Sequence, residues 1–270
     1  MRELLLTDLR RIIKDKLFLV VCILGGVFAL FTPLLYKGIV LALGDEVEML
    51  GPLMEAKALF FSAFLPGGNF GLILPILVAI VLCKDFRYGT VRNKIIAGKP
   101  RTAVFFSLFL STATVTCGVI LAHALLTLLV SLFFFPYAAL PFTWNSFLYL
   151  FVSLLFSLLV YLFLSALISF LAATLKSAGL TVVLYVAVNF FFSLLGTVTA
   201  VAAIFIEPTN KALTKLLEIL QKANLFTTTH IGAGTAYTAT DVLTVLVPTL
   251  LGSALCLGLG AYLFKKRDLK

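Results

Sequence analysis

Long uncharged apolar runs alternate with short polar breaks along almost the whole chain. Six runs are candidates for membrane-spanning helices, which need about 20 largely apolar residues. They are Leu17 to Leu35, Gly67 to Cys83, Thr102 to Phe135, Ser146 to Leu175, Ser177 to Ile206 and Val242 to Phe264. The second is the shortest; it opens on Gly67-Gly68 and contains Pro75. The apolar stretch Ala58 to Leu65 before it predicts a re-entrant or interfacial helix broken off at Pro66. The third holds no strong breaker and predicts one long helix that tilts or protrudes.

Three polar segments carry patterns of their own. Residues 2–16 (RELLLTDLRRIIKDK) place Leu5, Leu9, Ile12, Ile13 and Leu17 at helical spacing among Arg10, Arg11, Lys14 and Lys16. This predicts an amphipathic helix lying in the membrane interface over 1–16, or else a plain basic anchor. In the loop 84–101 (KDFRYGTVRNKIIAGKPR), Thr90 predicts the N-cap of a short helix through Ile96, stopped by Gly98 and Pro100. Val91, Ile95 and Ile96 give that helix an apolar edge beside Arg92 and Lys94, as a docking element would have; the alternative is a basic loop that only sets topology. In 207–241, the half from Pro208 to Leu225 is amphipathic, with Leu213, Leu216, Leu217 and Leu220 on one face and Lys211, Lys215, Glu218 and Lys222 elsewhere. Residues 227–240, rich in Thr, Gly and Ala, predict a loop.

Composition supports the same class. Hydrophobic residues make up 61% and charged residues 12% of the 270 positions, with a mean hydropathy of +1.13. Ordinary soluble domains are about 25% charged. A soluble fold of this size would leave too much apolar surface in water, so the expected fold is an all-α polytopic membrane protein with six transmembrane helices, forming one transmembrane domain over 1–270. The first run is too long, and lacks a small-residue cleavage site, to read as a signal peptide.

Charge sets the expected orientation. Segments before the first run, between the second and third, between the fourth and fifth, and after the sixth hold five, six, one and four of the 21 Lys+Arg residues. The alternate segments hold only Lys37, Lys57, Lys211, Lys215 and Lys222. With the acids included, the two sets carry +11 and −2, which together give the chain's net +9. Basic residues stay cytoplasmic, so both termini are expected in the cytoplasm and 207–241 outside. No basic stripe carries interleaved exposed aromatics, which argues against nucleic acid.

The spans themselves hold little chemistry. None contains Asp, Glu, Lys or Arg, and His123 is the one ionisable group at depth other than cysteine and tyrosine, expected to bond a neighbouring helix or to meet substrate or proton. Small or polar residues recur every four positions: Ser153, Ser157, Tyr161, Ser165 and Ser169 in the fourth span, Thr244, Pro248, Gly252, Cys256 and Gly260 in the sixth. These predict close helix approach. The fifth span differs, because the larger Tyr185 and Asn189, with Ser193 a turn later, carry groups that lipid cannot satisfy. They line a substrate path or join helices. The four cysteines sit in or at the edges of apolar runs without a CxxC, so buried thiols are expected, not disulfides or a metal site. No GxxxxGK[ST], HExxH or GxSxG is present.

One constellation resembles a known family. Asp85-Phe86-Arg87-Tyr88-Gly89-Thr90, then Arg92-Asn93-Lys94, then Arg101 opening the third span, are similar to the corresponding loop of the permease subunits of type-2 ATP-binding-cassette exporters, the type V fold. The ending Phe264-Lys265-Lys266-Arg267-Asp268-Leu269 is similar as well, and the layout of six spans, N-terminal helix and external helix fits the same family. Asp85 stands where that family more often has Glu. The resemblance implies a multi-pass protein of a bacterial plasma membrane, paired with a second permease copy or a related chain as homo- or heterodimer. It implies a separate ATP-binding-cassette ATPase that holds ATP and Mg, none being bound by this chain, and that docks on the coupling helix of 84–101 and on the N-terminal helix. Asp85, Arg87, Gly89, Thr90, Arg92, Lys94 and Arg101 would couple to it, spans two and five (Tyr185, Asn189, Ser193) would line the path, and Leu213, Leu216, Leu217 and Leu220 would form the external gate. The cargo expected for an uncharged path is a hydrophobic or amphipathic peptide, drug or lipid. Outside the resemblance, an ATP-independent channel or carrier and a membrane-embedded enzyme or assembly factor stay open.

Overall fold

A computed structural model describes residues 2–43, 55–137, 143–175, 177–205, 211–224 and 239–266. The described chain is almost entirely helical, without strands. In order it forms α1 (Arg2–Lys14), α2 (Lys16–Leu43), α3 (Ala56–Ser62), α4 (Asn69–Arg87), α5 (Thr90–Ile96), α6 (Arg101–Ser131), α7 (Trp144–Leu175), α8 (Ala178–Phe205), α9 (Lys211–Ala223) and α10 (Ala239–Lys266).

Five of these, α2, α6, α7, α8 and α10, are long and apolar enough to cross a membrane. The second expected span falls on α4, a shorter helix whose last turns carry Lys84, Asp85 and Arg87. The expected short helix before it is α3, and the expected helix of 208–225 is α9. The loop expected over 227–240 lies outside the described residues as far as 238, as do Lys176 and the terminal Arg267-Asp268-Leu269.

Helix α7 is the centre of the bundle, packed by α4, α6, α8 and α10. Its serine stripe is buried, yet Ser153, Ser157 and Ser165 donate to the carbonyls of Tyr149, Ser153 and Tyr161 at 2.7–2.8 Å. Those three hydroxyls, satisfied within their own helix, leave a flat packing face, whereas Ser169 Oγ and the Tyr161 hydroxyl of the same stripe have no partner among the described residues. Glycines of α10 complete it: a Cβ at Gly252 would sit 2.7 Å from the Phe163 ring, and one at Gly260 2.5 Å from Phe105. Each glycine seats an aromatic ring of a neighbouring helix, so the four-residue stripe is a device for close approach. The cysteines are free, but Cys22 is exposed on the flank of α2, whereas Cys83 is buried.

Candidate functional site

Two buried polar constellations sit on this frame. The first gathers at the α1 end of the bundle. α1 buries Leu4, Asp8 and Ile12 on one face, a face rotated from the one its apolar spacing predicts: Leu9, Ile12 and Leu17 pack together, but Ile13 is 56% exposed. The reason is Asp8. It is 1% exposed, pairs with Lys94 of α5, accepts a hydrogen bond from Ser107 Oγ of α6 at 2.8 Å, and lies 3.5 Å from Arg11 Nη2. Arg11 in turn pairs with Asp85 near the end of α4. One turn on, Lys84 Nζ reaches both Asp15 oxygens at 2.9 Å, and Asp15 also accepts the Leu17 N–H, starting α2. A buried charge left alone is strongly unfavourable, so each fixes the next, and the cluster locks α1, α4, α5 and α6 together.

Burial pushes the Asp85 carboxyl up to about 6, although the Arg11 and Lys94 charges pull it down; Asp8 adds to the rise. Asp15 goes the other way. Its partial burial acts upward, but the Lys84 ammonium, the Leu17 N–H and Arg11 more than offset it, and the carboxyl lies below its ordinary value.

Between α4 and α5 the chain reverses at Gly89, whose φ of +69° is the left-handed conformation that glycine adopts without strain. Gly89 is therefore the N-cap of α5, and Thr90 its first helical residue. Val91 is buried and Ile95 packs on the core, whereas Ile96, 72% exposed, faces outward. Arg87, Tyr88, Arg92 and Asn93 are exposed beside it. The expected docking residues thus divide. Asp85 and Lys94 are turned inward to α1, and Arg87 and Arg92 stay on the outer edge. Arg101 does something else: its Nη1 donates to the Lys265 carbonyl at 2.9 Å, capping the end of α10.

The second constellation lies in the middle of the bundle. Asn189 Nδ2 of α8 donates to the Pro66 carbonyl at 3.0 Å, and Ser193 Oγ donates to Asn189 Oδ1 at 3.4 Å. The amide holds the bend between α3 and α4, where Gly67 leaves room: a Cβ there would lie 3.2 Å from Ser193 Oγ. Tyr185 and Tyr161 are fully buried, and neither hydroxyl has a hydrogen-bond partner among the described residues. Both are polar groups facing protein, as expected for lipid-intolerant side chains. His123 Nδ1 bonds the Gly25 carbonyl of α2 at 2.9 Å, with the ring 4.6 Å from that of Phe70. On α9, Leu213, Leu216 and Leu220 are exposed and Leu217 half-buried, and Asn224 Nδ2 ties the end of the helix to the Phe192 carbonyl of α8 at 2.6 Å.

Sequence spacing missed Asp8, Arg11, Asp15 and Lys84. One signal was present: Asp8 falls four residues from both Leu4 and Ile12, an acid in a hydrophobic register. The chain matches no model of a known protein family and no curated protein.

Proposed function

We propose that the chain is the membrane-spanning subunit of an ATP-driven exporter of the type-2 ATP-binding-cassette kind, with ATP and Mg held on a separate ATPase subunit. The observation that carries this reading is the two-sided helix α5. Its inner side is fixed to α1 and the core by Lys94, Val91 and Ile95, and its outer edge presents Arg92 and Ile96, beside Arg87 and Tyr88 at the end of α4, with no described partner. A short helix of that kind transmits a push: whatever moves the outer edge moves α1, α4 and α6 with it. The likeness of 85–101 to the family's coupling loop supports the same role.

On this reading α4 as far as Cys83 is the second of six spans, entered through the α3–Pro66 bend, both termini are cytoplasmic in a bacterial plasma membrane, and two permease copies or a pair of related chains share a path. Tyr185, Asn189 and Ser193 of α8 lie along that path, with a hydrophobic or amphipathic peptide, drug or lipid as cargo, and the leucine face of α9 closes it outside. The polar groups that Tyr185, Asn189 and Ser193 carry in an apolar helix, which lipid cannot satisfy, support this placement.

The test is association. Purified from its own cells in mild detergent, the wild-type chain should bring down an ATPase bearing a Walker motif, and Arg92→Glu with Ile96→Asp should lose it while the helical content stays. Transport that proceeds in vesicles with no such ATPase would replace the proposal by an ATP-independent channel or carrier. Turnover of a lipid-soluble substrate by the chain alone would replace it by a membrane-embedded enzyme.

A further inference from the structure

A groove of about 480 Å³ runs along the outside of the bundle between α2 and α6 and ends under α1. Phe18, Cys22 and Gly26 line one wall, Gly118 and Ala122 the other, and Leu9 and Ile13 of α1 close one end. α2 and α6 run in parallel here, so from Thr114 to Leu126 the groove is about 18 Å long at 1.5 Å per residue. That is close to the depth of one leaflet, about half of a 30 Å hydrocarbon core.

Two of its glycines are unlike Gly252 and Gly260 of α10, whereas the third, Gly25, seats the Phe70 ring, 3.0 Å from an added Cβ. A Cβ added at Gly26 or Gly118 would meet nothing within 4 Å. These positions keep a channel open and bring no helices together. Its two polar lining side chains are turned to backbone: Thr114 Oγ1 donates to the Leu110 carbonyl at 2.8 Å, and His123 bonds Gly25 O through Nδ1. What remains suits hydrocarbon.

The α1 end carries the opposite chemistry. Arg10 and Lys14 follow Leu9 and Ile13 directly, on the adjoining outer face of α1 and not in the groove lining, lie one helical turn apart, are exposed, and make no ion pair with a described residue. Arg11, between them, is consumed by Asp8 and Asp85. An apolar channel of leaflet depth with two unpaired cations at one end has the layout of a phospholipid: chain in the channel, phosphate at the cations.

We infer that this groove binds an anionic phospholipid of the surrounding membrane, with one acyl chain between α2 and α6 and its phosphate against Arg10 and Lys14. The lipid would brace the exposed flank of α1, whose other flank the charge cluster holds.

The wild-type chain, taken from vesicles of equal phosphatidylglycerol and phosphatidylcholine and examined by native mass spectrometry, should retain phosphatidylglycerol several-fold over phosphatidylcholine, near one per chain. Arg10→Ala with Lys14→Ala, both at exposed positions, should abolish the preference. For location, a Phe18→Trp chain in a Trp144→Phe background should be quenched by brominated phosphatidylglycerol at a several-fold lower mole fraction than by brominated phosphatidylcholine. Equal retention of the two lipids overturns the inference, as does a preference that survives the double substitution. Fluorescence of the Phe18→Trp chain that neither lipid quenches, with Cys22 cross-linking two chains, overturns it too and gives the groove to a second copy.

Discussion

The cluster around Asp8 and the seam around Asn189 both join distant parts of the chain through buried polar atoms, yet one is built from full charges and the other from none. Asp8, Arg11, Asp15, Lys84, Asp85 and Lys94 neutralise one another at the α1 end. Asn189, Ser193 and Tyr185 lie deep in apolar helices and use only amides and hydroxyls. The difference teaches where each kind of bond can be held. Near a helix end, charged side chains find several ionic partners within a few turns. At mid-span the cost of an ion is too high, and an amide meeting a free carbonyl at a proline–glycine bend is the polar contact that can be held there.

The contrast breaks most sharply at Asp8. Asp8→Ala strips Lys94 and Ser107 of their buried partner, and removing one member of a buried pair costs about 3–5 kcal/mol. Thermal unfolding in detergent should fall accordingly, with α1 becoming accessible to protease before the rest of the chain. An intact, protected α1 would show that the cluster does not hold it.

Asp85 should give the next largest effect and a pH signature. Its carboxyl is raised from 3.8 to about 6, so the folded chain holds a proton that the unfolded chain releases. The stabilisation is complete below about 4 and is lost as pH rises through about 6, a span worth about 3 kcal/mol. Asp15, lowered, loses its contribution only below its ordinary range, so it leaves this window clear. Melting curves from pH 7.5 to 4.5 should shift upward in the wild type, and Asp85→Asn should flatten that slope.

Asn189→Leu should cost less, about 0.6–1.7 kcal/mol, the measured range for hydrogen bonds within membranes. If the amide also meets cargo, the set of compounds that stimulate ATP hydrolysis by the assembled complex should change, with Tyr185→Phe acting more weakly in the same direction. A lower melting temperature with an unaltered substrate profile would reduce Asn189 to a brace for the α3–α4 bend.

The smallest effect on folding is expected at the outer edge of α5. Arg92→Glu lies at an exposed, unpaired position, where substitutions shift stability by about 0.5 kcal/mol or less. Its melting curve should overlay the wild type while ATPase binding weakens. Lys94→Glu, on the inner side of the same helix and facing Asp8, should do the reverse and unfold the α1 end first.

Most of the helices were legible because their apolar runs allow nothing else. A backbone in hydrocarbon must bond to itself, so run length alone places α6, α7, α8 and α10 to within a few residues of their ends. The four-residue stripes were readable as packing faces for the same reason, and Gly252 and Gly260 meet aromatic rings as such stripes imply. The polarity of the two constellations was legible only in part. Asn189 stood out because lipid cannot satisfy an amide, so it had to join helices or line a path, whereas Asp8 hid in a segment already full of charge.

What the chain by itself determined is the solvent it folds in, the helical class and the special standing of α8, because each follows from local chemistry: run length, and a side chain that lipid cannot satisfy. What only the tertiary structure decided is pairing. Whether Lys94 faces an ATPase or Asp8, whether Arg101 serves a partner or the last carbonyls of α10, and whether a glycine opens a groove or seats a ring depend on which helices lie side by side. Contacts such as Asp8 to Lys94, 86 positions apart, follow from how the apolar helices pack. Packing among uniformly apolar surfaces is set by the shapes of side chains along the whole of each helix, which no local pattern of hydrophobic and polar residues records.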